Sequence, residues 1–397
     1  MGRSSQSAAD AAGPVGPETV AACALSAVPG IGATALERIA KAFLSLSQAL
    51  EEGPLEILRR ADFLELRADA RTYLGQGPDL HELGAWALGV ARKAGARVLL
   101  PGDIGYPPRL RKLPHPPAIL YVRGSLAPEA RRVAVVGARA ADDAGLEIAR
   151  LFGDGLARAG VEVVSGGARG IDTAAHEGAL WGQGSSVAVL GCGIDVAYPA
   201  ENRGLFDRLA TGGGAVISEL PPGTQPSPRN FPRRNRTVAG LAQAVVVVRA
   251  ALRSGALITA AHAAEQGVPL FAVPGDPSNP RAEGPNALLR EGGAKVATGP
   301  ADVLRHLGWP VPAGLPEAAD ATHWGAVASN APVDRTDEVL DAAGVKLWRL
   351  LDERTPAHVD DLALRAQIPA REALGKLAEL ELKGMVLQRP GKYFLRR

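Results

Sequence analysis

The sequence predicts an α/β fold: a Rossmann-like doubly wound parallel sheet, with a small helical domain before it and a winged-helix domain after it. Three observations predict this. Six short apolar runs, most of them valine-rich, recur at Val133–Val136, Val161–Val164, Val187–Leu190, Ala215–Ile217, Val245–Val248 and Leu270–Val273. Amphipathic segments of helical spacing separate them, among them Asp143–Ala159 and Asp172–Trp181. Glycine-rich turns follow several of the runs directly. Continuous apolar strands alternating with helices imply a parallel sheet covered on both faces, because each crossover lays a helix against the sheet.

In chain order, residues 1–18 read as a disordered leader, rich in small and polar residues and without the apolar centre of a signal peptide. Residues 19–96 are patterned as a SAM-like or helix-hairpin-helix-like domain. Within it, "ALSAVPGIGATALERIAKAF" reads as two helices joined at Pro29-Gly30-Ile31-Gly32. Such a turn offers backbone N–H groups to a DNA phosphate, and serves equally as a tight turn within a helical domain. The Rossmann-like domain is expected over residues 97–308. It opens with two short strands, Val98–Leu100 and Ile119–Val122, around a proline-rich loop. A Pro- and Ala-rich linker over 309–334 leads to the winged helix at 335–397. There the pattern gives helices at Glu338–Leu351, Val359–Ala366 and Arg371–Lys383, with Thr355-Pro356 starting the second and Pro390-Gly391 turning a closing hairpin. Arg371, Lys376 and Lys383 on the third helix are balanced by Glu372, Glu379 and Glu381, so a structural or protein-binding role is expected there rather than DNA reading.

The 397 residues carry 44 basic and 42 acidic side chains, a formal charge of +2 that points to no partner. No apolar run approaches the length of a membrane span. Two cysteines, Cys23 and Cys192, supply neither a disulfide framework nor a zinc site. A cytoplasmic protein without cofactor or metal is expected. The distribution of charge says more than its sum. Between Glu219 and Glu265 there is no acid, while Arg229, Arg233, Arg234, Arg236, Arg249 and Arg253 fall in that interval. Such a local field attracts phosphates. Phe231 stands in its midst, although the chain has only 17 aromatic residues (5 Trp, 5 Tyr, 7 Phe). An exposed ring flanked by arginines can stack on a base while the guanidinium groups hold phosphates; the plainer reading tucks the ring under its own loop.

Ligands of open parallel sheets sit beyond the C-terminal strand ends. Here those ends read Gly137-Ala138-Arg139, Ser165-Gly166-Gly167-Ala168-Arg169-Gly170, Gly191-Cys192-Gly193, Ser218-Glu219, Arg249 and Pro274-Gly275-Asp276. Glycines let a phosphate approach the backbone and arginines supply charge and forked donors, so a polyanion is expected. A dinucleotide is disfavoured: "GARAADDAG" after the first strand lacks the second glycine of the fingerprint. Catalytic groups are not evident. Asp172 and His176 share a helix face, but two candidate ligands without a third do not make a metal site. Asp172 is expected to cap its helix, with His176 bonding locally.

The motifs "VAVVGARAADDAG", "VVSGGARGIDTAAHEGAL", "VAVLGCGIDVAYPAEN", "ISELPPG", "FPRRNRTVAGLAQAVVVVRA", "SGALITAAHAAEQG", "LFAVPG" and "GPNALLREGGAKV" follow one another in this order. Together they resemble the DNA-processing protein A family (DprA, also called Smf) over roughly residues 100–308, with the flanking domains matching the family's three-domain layout more loosely. The resemblance implies a cytoplasmic, non-catalytic homodimer. It would bind and protect incoming single-stranded DNA in natural transformation and load the recombinase RecA onto it. It maps the strand-binding groove to Gly137, Arg139, Ser165, Gly166, Gly167, Arg229, Phe231, Arg233, Arg234, Asn235, Arg236 and Arg253, and Arg169 joins these from its place at the end of the second apolar run. At the last position the family often carries lysine, so the charge is kept while the hydrogen-bond geometry changes. A dimer interface maps to Leu288, Leu289 and Val296. The alternative is a nucleotide-processing, phosphoribohydrolase-like enzyme of the same fold. Against it, "RSGALITAAHAAE" lacks the doubled glycine that such enzymes carry before their glutamate.

Overall fold

The computed structural model describes residues 15–315, 342–352, 357–382, 386–389 and 392–396. They fall into two units, divided at Ala319. The first unit begins with six helices: α1 (Pro17–Ala27), α2 (Ala33–Phe43), α3 (Leu46–Glu52), α4 (Pro54–Arg59), α5 (Ala68–Gly75) and α6 (Leu80–Lys93). Local chemistry starts several of them. Pro17 opens α1, where a missing N–H costs nothing, and Ser45 and Asp79 cap α3 and α6 by accepting from Gln48 N and Glu82 N, each at 3.0 Å.

The chain then runs β1 (Ala96–Leu99), α7 (Pro108–Arg111), β2 (Leu120–Gly124), β3 (Arg132–Val136), α8 (Asp143–Arg158), β4 (Glu162–Ser165) and α9 (Ile171–Trp181). It continues through β5 (Ser186–Leu190), α10 (Arg203–Thr211), β6 (Ala215–Ser218), α11 (Asn230–Leu241), β7 (Ala244–Val247) and α12 (Gly255–Glu265). Last come β8 (Leu270–Ala272), α13 (Glu283–Arg290), β9 (Lys295–Val296) and α14 (Pro300–His306).

These strands form one nine-stranded sheet in the order β1-β2-β6-β5-β4-β3-β7-β8-β9. From β6 to β9 all neighbours are parallel, as the valine-rich runs predict. β1 and β2 extend the sheet antiparallel, with Tyr121 opposite Ser218. Strand period alone does not show which edge they would join. The two-residue β9 is shorter than any periodic signal.

Chain order steps from β3 outward to β6, then returns to place β7 beside β3 on its other side. That reversal is a topological switch point. The loops after β3 and β7 leave in opposite directions and open a crevice between them.

Alternation along the strands divides the core. Ala134, Val136, Val187, Val189, Val245 and Val247 pack on the face that also meets α11 and α12. Val133, Val135, Val163, Val246 and Val248 meet α8, α9 and α14 on the other face. On that same face, Tyr121, Ala188, Leu190 and Val216 share a core with Leu25, Ile39, Leu64 and Leu74 of the N-terminal helical segment. The helical segment is thus bonded to the sheet by a continuous apolar core.

The second unit has α15 (Ala342–Leu350), β10 (Ala357–His358), α16 (Val359–Ala366), α17 (Ala370–Leu382), β11 (Val386–Arg389) and β12 (Tyr393–Arg396). Its antiparallel sheet runs β10-β12-β11, and Leu347, Leu362, Leu377 and Phe394 anchor a core of its own. This is a winged helix. Most of the expected leader and linker, together with Thr355-Pro356, Lys383 and Pro390-Gly391, lie outside the described residues. Among the described residues no helix is long and apolar enough to cross a membrane.

Candidate nucleic-acid interface

At the switch point lies an open crevice of about 660 Å³, lined by Gly137, Arg139, Gly166, Phe231, Arg234 and Arg253 among others. Glycines bring its walls together. A Cβ on Gly137 would stand 2.6 Å from Ile171 Cγ1 and 2.8 Å from the Arg249 carbonyl, so only glycine lets the end of β3 touch both α9 and the end of β7. Two backbone bonds fix this contact, Ala138 N to Arg249 O (2.6 Å) and Ile171 N to Ala138 O (3.2 Å).

Phe231 lies in the first turn of α11, half-buried. The ring rests on Gly191, where a Cβ would come within 2.7 Å of Phe231 Cδ1. Arg139, exposed, holds its guanidinium carbon 4.8 Å from the ring centroid, and the Tyr198 ring lies 5.9 Å away at a 32° tilt. These distances suit cation–π and offset aromatic contacts. The ring is therefore neither tucked under its loop nor free: one side is seated and the rest faces the crevice.

Beneath it, Arg234 is turned inward, 7% exposed. Its Nη1 donates to the carbonyls of Gly166 and Val189, the latter at 2.8 Å. Gly166 is glycine for this reason, since a Cβ there would fall on the guanidinium. Burial pulls the Arg234 pKa down, while the nearby Asp172 charge opposes the fall. Burial likewise raises the Asp172 carboxyl, against the pull of Arg234 and of its own hydrogen bonds. The guanidinium on the crevice floor is thus spent on backbone carbonyls, with the Asp172 carboxyl lining the same floor, and it ties the ends of β4 and β5 to α11.

Asp172 does not cap α9, as the sequence suggested: the N-cap is Gly170, whose φ of 75° places it in the left-handed region. Instead Asp172 Oδ2 accepts from Gly166 N (3.1 Å) and Ala168 N (3.3 Å), closing the loop that precedes the helix. That takes the Gly166 and Ala168 amides away from any phosphate. His176 bonds locally, Nδ1 to Ser186 Oγ at 2.7 Å, and burial with the Arg234 charge pushes its pKa down to about 3.

Other predicted residues separate by position. Ser165 is buried and donates to Val135 O (2.7 Å), Gly167 packs on Phe206, and Arg169 pairs with Glu201 away from the crevice lining. Asn235 lines the crevice, but its amide donates to Gly255 O at 3.0 Å, tying α11 to α12. Arg253 is exposed at the crevice lip, next to Ser254, which caps α12. Arg249 also turns inward, 3.7 Å from Asp142, so it adds no contact surface. Arg229, Arg233 and Arg236 face a different cavity on the other flank of α11. Sequence reasoning missed Tyr198, which sits in the quoted "VAYPAEN", and Arg281 at the crevice edge. Glu265, the acid nearest the enzyme reading, lies at the far end of α12 paired with His262.

The expected dimer patch is split. Leu288 packs on the core, Leu289 is half-buried, and Val296 is 55% exposed on the edge strand β9.

The sequence profile of the DNA recombination-mediator protein A family matches residues 97–308, and that of the DprA winged helix domain matches residues 331–392. The chain is 42% identical over 297 residues to Protein Smf of Escherichia coli (strain K12), covering 74% of this chain and 76% of that protein. It is 34% identical over 358 residues to a putative DNA processing protein DprA of Mycobacterium tuberculosis, covering 86% and 87%. The X-ray structure of DprA from Streptococcus pneumoniae superposes with a TM-score of 0.60 at 32% identity, covering 73% of this chain and 98% of that one.

Proposed function

The chain belongs to the DNA recombination-mediator protein A family, and from that premise we propose that its switch-point crevice binds single-stranded DNA without catalysing a reaction on it. One observation carries the reading: a half-seated phenylalanine with an exposed arginine 4.8 Å over its ring, in an open crevice floored by a buried arginine. A duplex hides its base faces in the stack, whereas a single strand can lay a base on Phe231 and its phosphates on Arg139 and Arg253. Stacking tolerates every base, so little sequence preference is expected.

Family membership extends the reading to protecting the strand and passing it to RecA in recombination, including natural transformation. The protein then acts in the cytoplasm, where such strands arrive. Pairing of two copies through Leu289 and Val296 would set two crevices on one strand and raise avidity with no new contact. We retain the division into a helical domain, a Rossmann-like domain and a winged helix as the functional layout, with the first joined to the sheet through the shared core.

The test compares a single strand with a duplex of equal length over a salt series, for the protein and for Phe231→Ala. Preference for the single strand with steep salt dependence supports the reading; equal affinity or salt-insensitive binding contradicts it.

A further inference from the structure

A second cavity, of about 670 Å³, opens on the opposite flank of α11. Its walls come from two distant parts of the chain. Arg229, Arg233 and Arg236 stand at i, i+4 and i+7, one stripe of the helix, while Phe231 and Asn235 on the other flank line the crevice. Facing this stripe are the Gly30–Ala35 turn, Arg38 and Arg67 of the N-terminal segment.

The charge on these walls is not balanced within the protein. Glu65 lines the cavity but is held by Arg38 at 2.6 Å, and Glu219 reaches Arg233 at 3.2 Å from its buried position. Among the described residues no carboxylate lies within ion-pair distance of Arg67, Arg229 or Arg236. Like charges gathered in a concave wall raise the local potential and favour a bound anion. The start of α2 adds to it. Gly32 has no side chain to cap the helix, and Ala33, Thr34 and Ala35, whose amides precede the first intrahelical bond (Leu36 N to Gly32 O, 2.9 Å), all line the cavity. Asp69 stands against Gly30 but outside the lining, accepting from Ala70 N.

We propose that this cavity holds backbone phosphates of the same single strand, continuing its path from the crevice over the first turn of α11 and onto the N-terminal helices. The inference rests on the crevice being a single-strand site. Only one helix end, about 10–12 Å across, separates the two cavities, and Pro228 to Arg236 line one or the other along it. No Phe, Tyr or Trp lines the second cavity among the described residues, so it grips charge rather than stacks bases. Long strands should feel it; strands that fill only the crevice should not.

Gly32 offers a clean probe. Its φ of −110° is open to any residue, and a Cβ there would stand 3.9 Å from Arg233 Nη1, an ordinary contact. Gly32→Asp supplies a favoured N-cap while placing a carboxylate where the phosphate would lie; Gly32→Asn supplies the cap without the charge. Arg67→Gln removes a cation from the other wall. Binding of labelled oligothymidylates of graded length is read by fluorescence anisotropy over a salt series, with Arg139→Ala in parallel and thermal melts of each variant. For long strands, Gly32→Asp and Arg67→Gln should lower the log–log salt slope by about 0.7 for each phosphate no longer held, and Gly32→Asn should keep it. The shortest strands that bind should show no change, and Gly32→Asp should melt no lower than the unaltered protein. An unchanged slope on long strands in both charge variants overturns the proposal while leaving the crevice reading intact, provided Arg139→Ala still weakens binding. An equal loss on short and long strands overturns the continuation as well. If Arg139→Ala binds normally, the crevice reading itself fails and takes this inference with it.

Discussion

Replacing Gly166 by alanine should dislodge a charge that the chain has placed 68 positions further on. The added Cβ would fall on the Arg234 guanidinium, which lies buried and donates to the carbonyls of Gly166 and Val189. The backbone of a strand end cannot retreat, since Gly166 N is itself held by Asp172 and Ser165 is pinned to Val135. The guanidinium must therefore leave, and Asp172 remains buried without its neighbouring cation. Losing two hydrogen bonds from a charged donor, and leaving a buried carboxyl without the opposite charge nearby, costs about 3–5 kcal/mol. For a unit of about 300 residues, with an unfolding entropy of about 2.1 cal/mol/K per residue, that corresponds to a fall of roughly 5–8 °C in Tm. The assay is a double-mutant cycle followed by circular dichroism melts: Gly166→Ala, Arg234→Met, and both together. A flexible thioether yields to the new Cβ, so in the Arg234→Met background the alanine should cost less than about 1 kcal/mol. If Gly166→Ala instead adds its full cost on top of Arg234→Met, the clash is elsewhere and the Arg234 guanidinium is not what requires this glycine.

Two further outcomes concern the groups around that site and the distant leucine patch. His176 is neutral in the folded chain, with its pKa pushed down to about 3 from 6.5, so the unfolded chain binds the extra proton between those values. Stability is then fully present above pH 6.5 and falls as pH drops toward 3, at up to about 1.4 kcal/mol per pH unit from this group. Asp172, raised by burial, acts in the opposite sense, so the measurement is the difference in slope between the protein and His176→Asn over about pH 7 to 5; equal slopes refute the assignment. Leu289→Glu should give a folded monomer with weaker binding to long strands, because Leu288 rather than Leu289 carries the core contact. A native-like spectrum with unchanged dimer mass by light scattering removes the patch from the interface.

The sheet was legible because its strands are apolar on both faces, which leaves the valine runs unbroken by helical spacing. Their spatial order was not, since β1 and β2 join by long-range pairing that local pattern does not encode. Phe231 was legible as an aromatic residue among arginines, an unusual placement for a chain with few rings. Composition could not separate the arginines from one another. Arg234 and Arg249 turn inward, and Arg229, Arg233 and Arg236 face away, because helical phase and the glycines opposite decide direction. Asp172 looked like a helix cap because it follows a glycine turn, yet its oxygen reaches back to close the loop. Arg38 and Arg67 were invisible as site residues. They reach the same surface only because the N-terminal helices share a core with β5 and β6.

The most direct test of strand binding in the crevice is the salt dependence of Phe231→Ala beside that of Arg139→Ala. In the proposed groove Phe231 offers its ring face and Arg139 its charge, 4.8 Å apart. Phe231→Ala should weaken binding by about 1–3 kcal/mol, roughly fivefold to 140-fold in Kd, at an unchanged salt slope. Arg139→Ala should weaken binding and reduce the slope by about 0.7, the share of one phosphate on a single strand. If Phe231→Ala lowers the melting temperature and leaves single-strand affinity untouched, the ring is packing alone and the crevice is not where the strand lies.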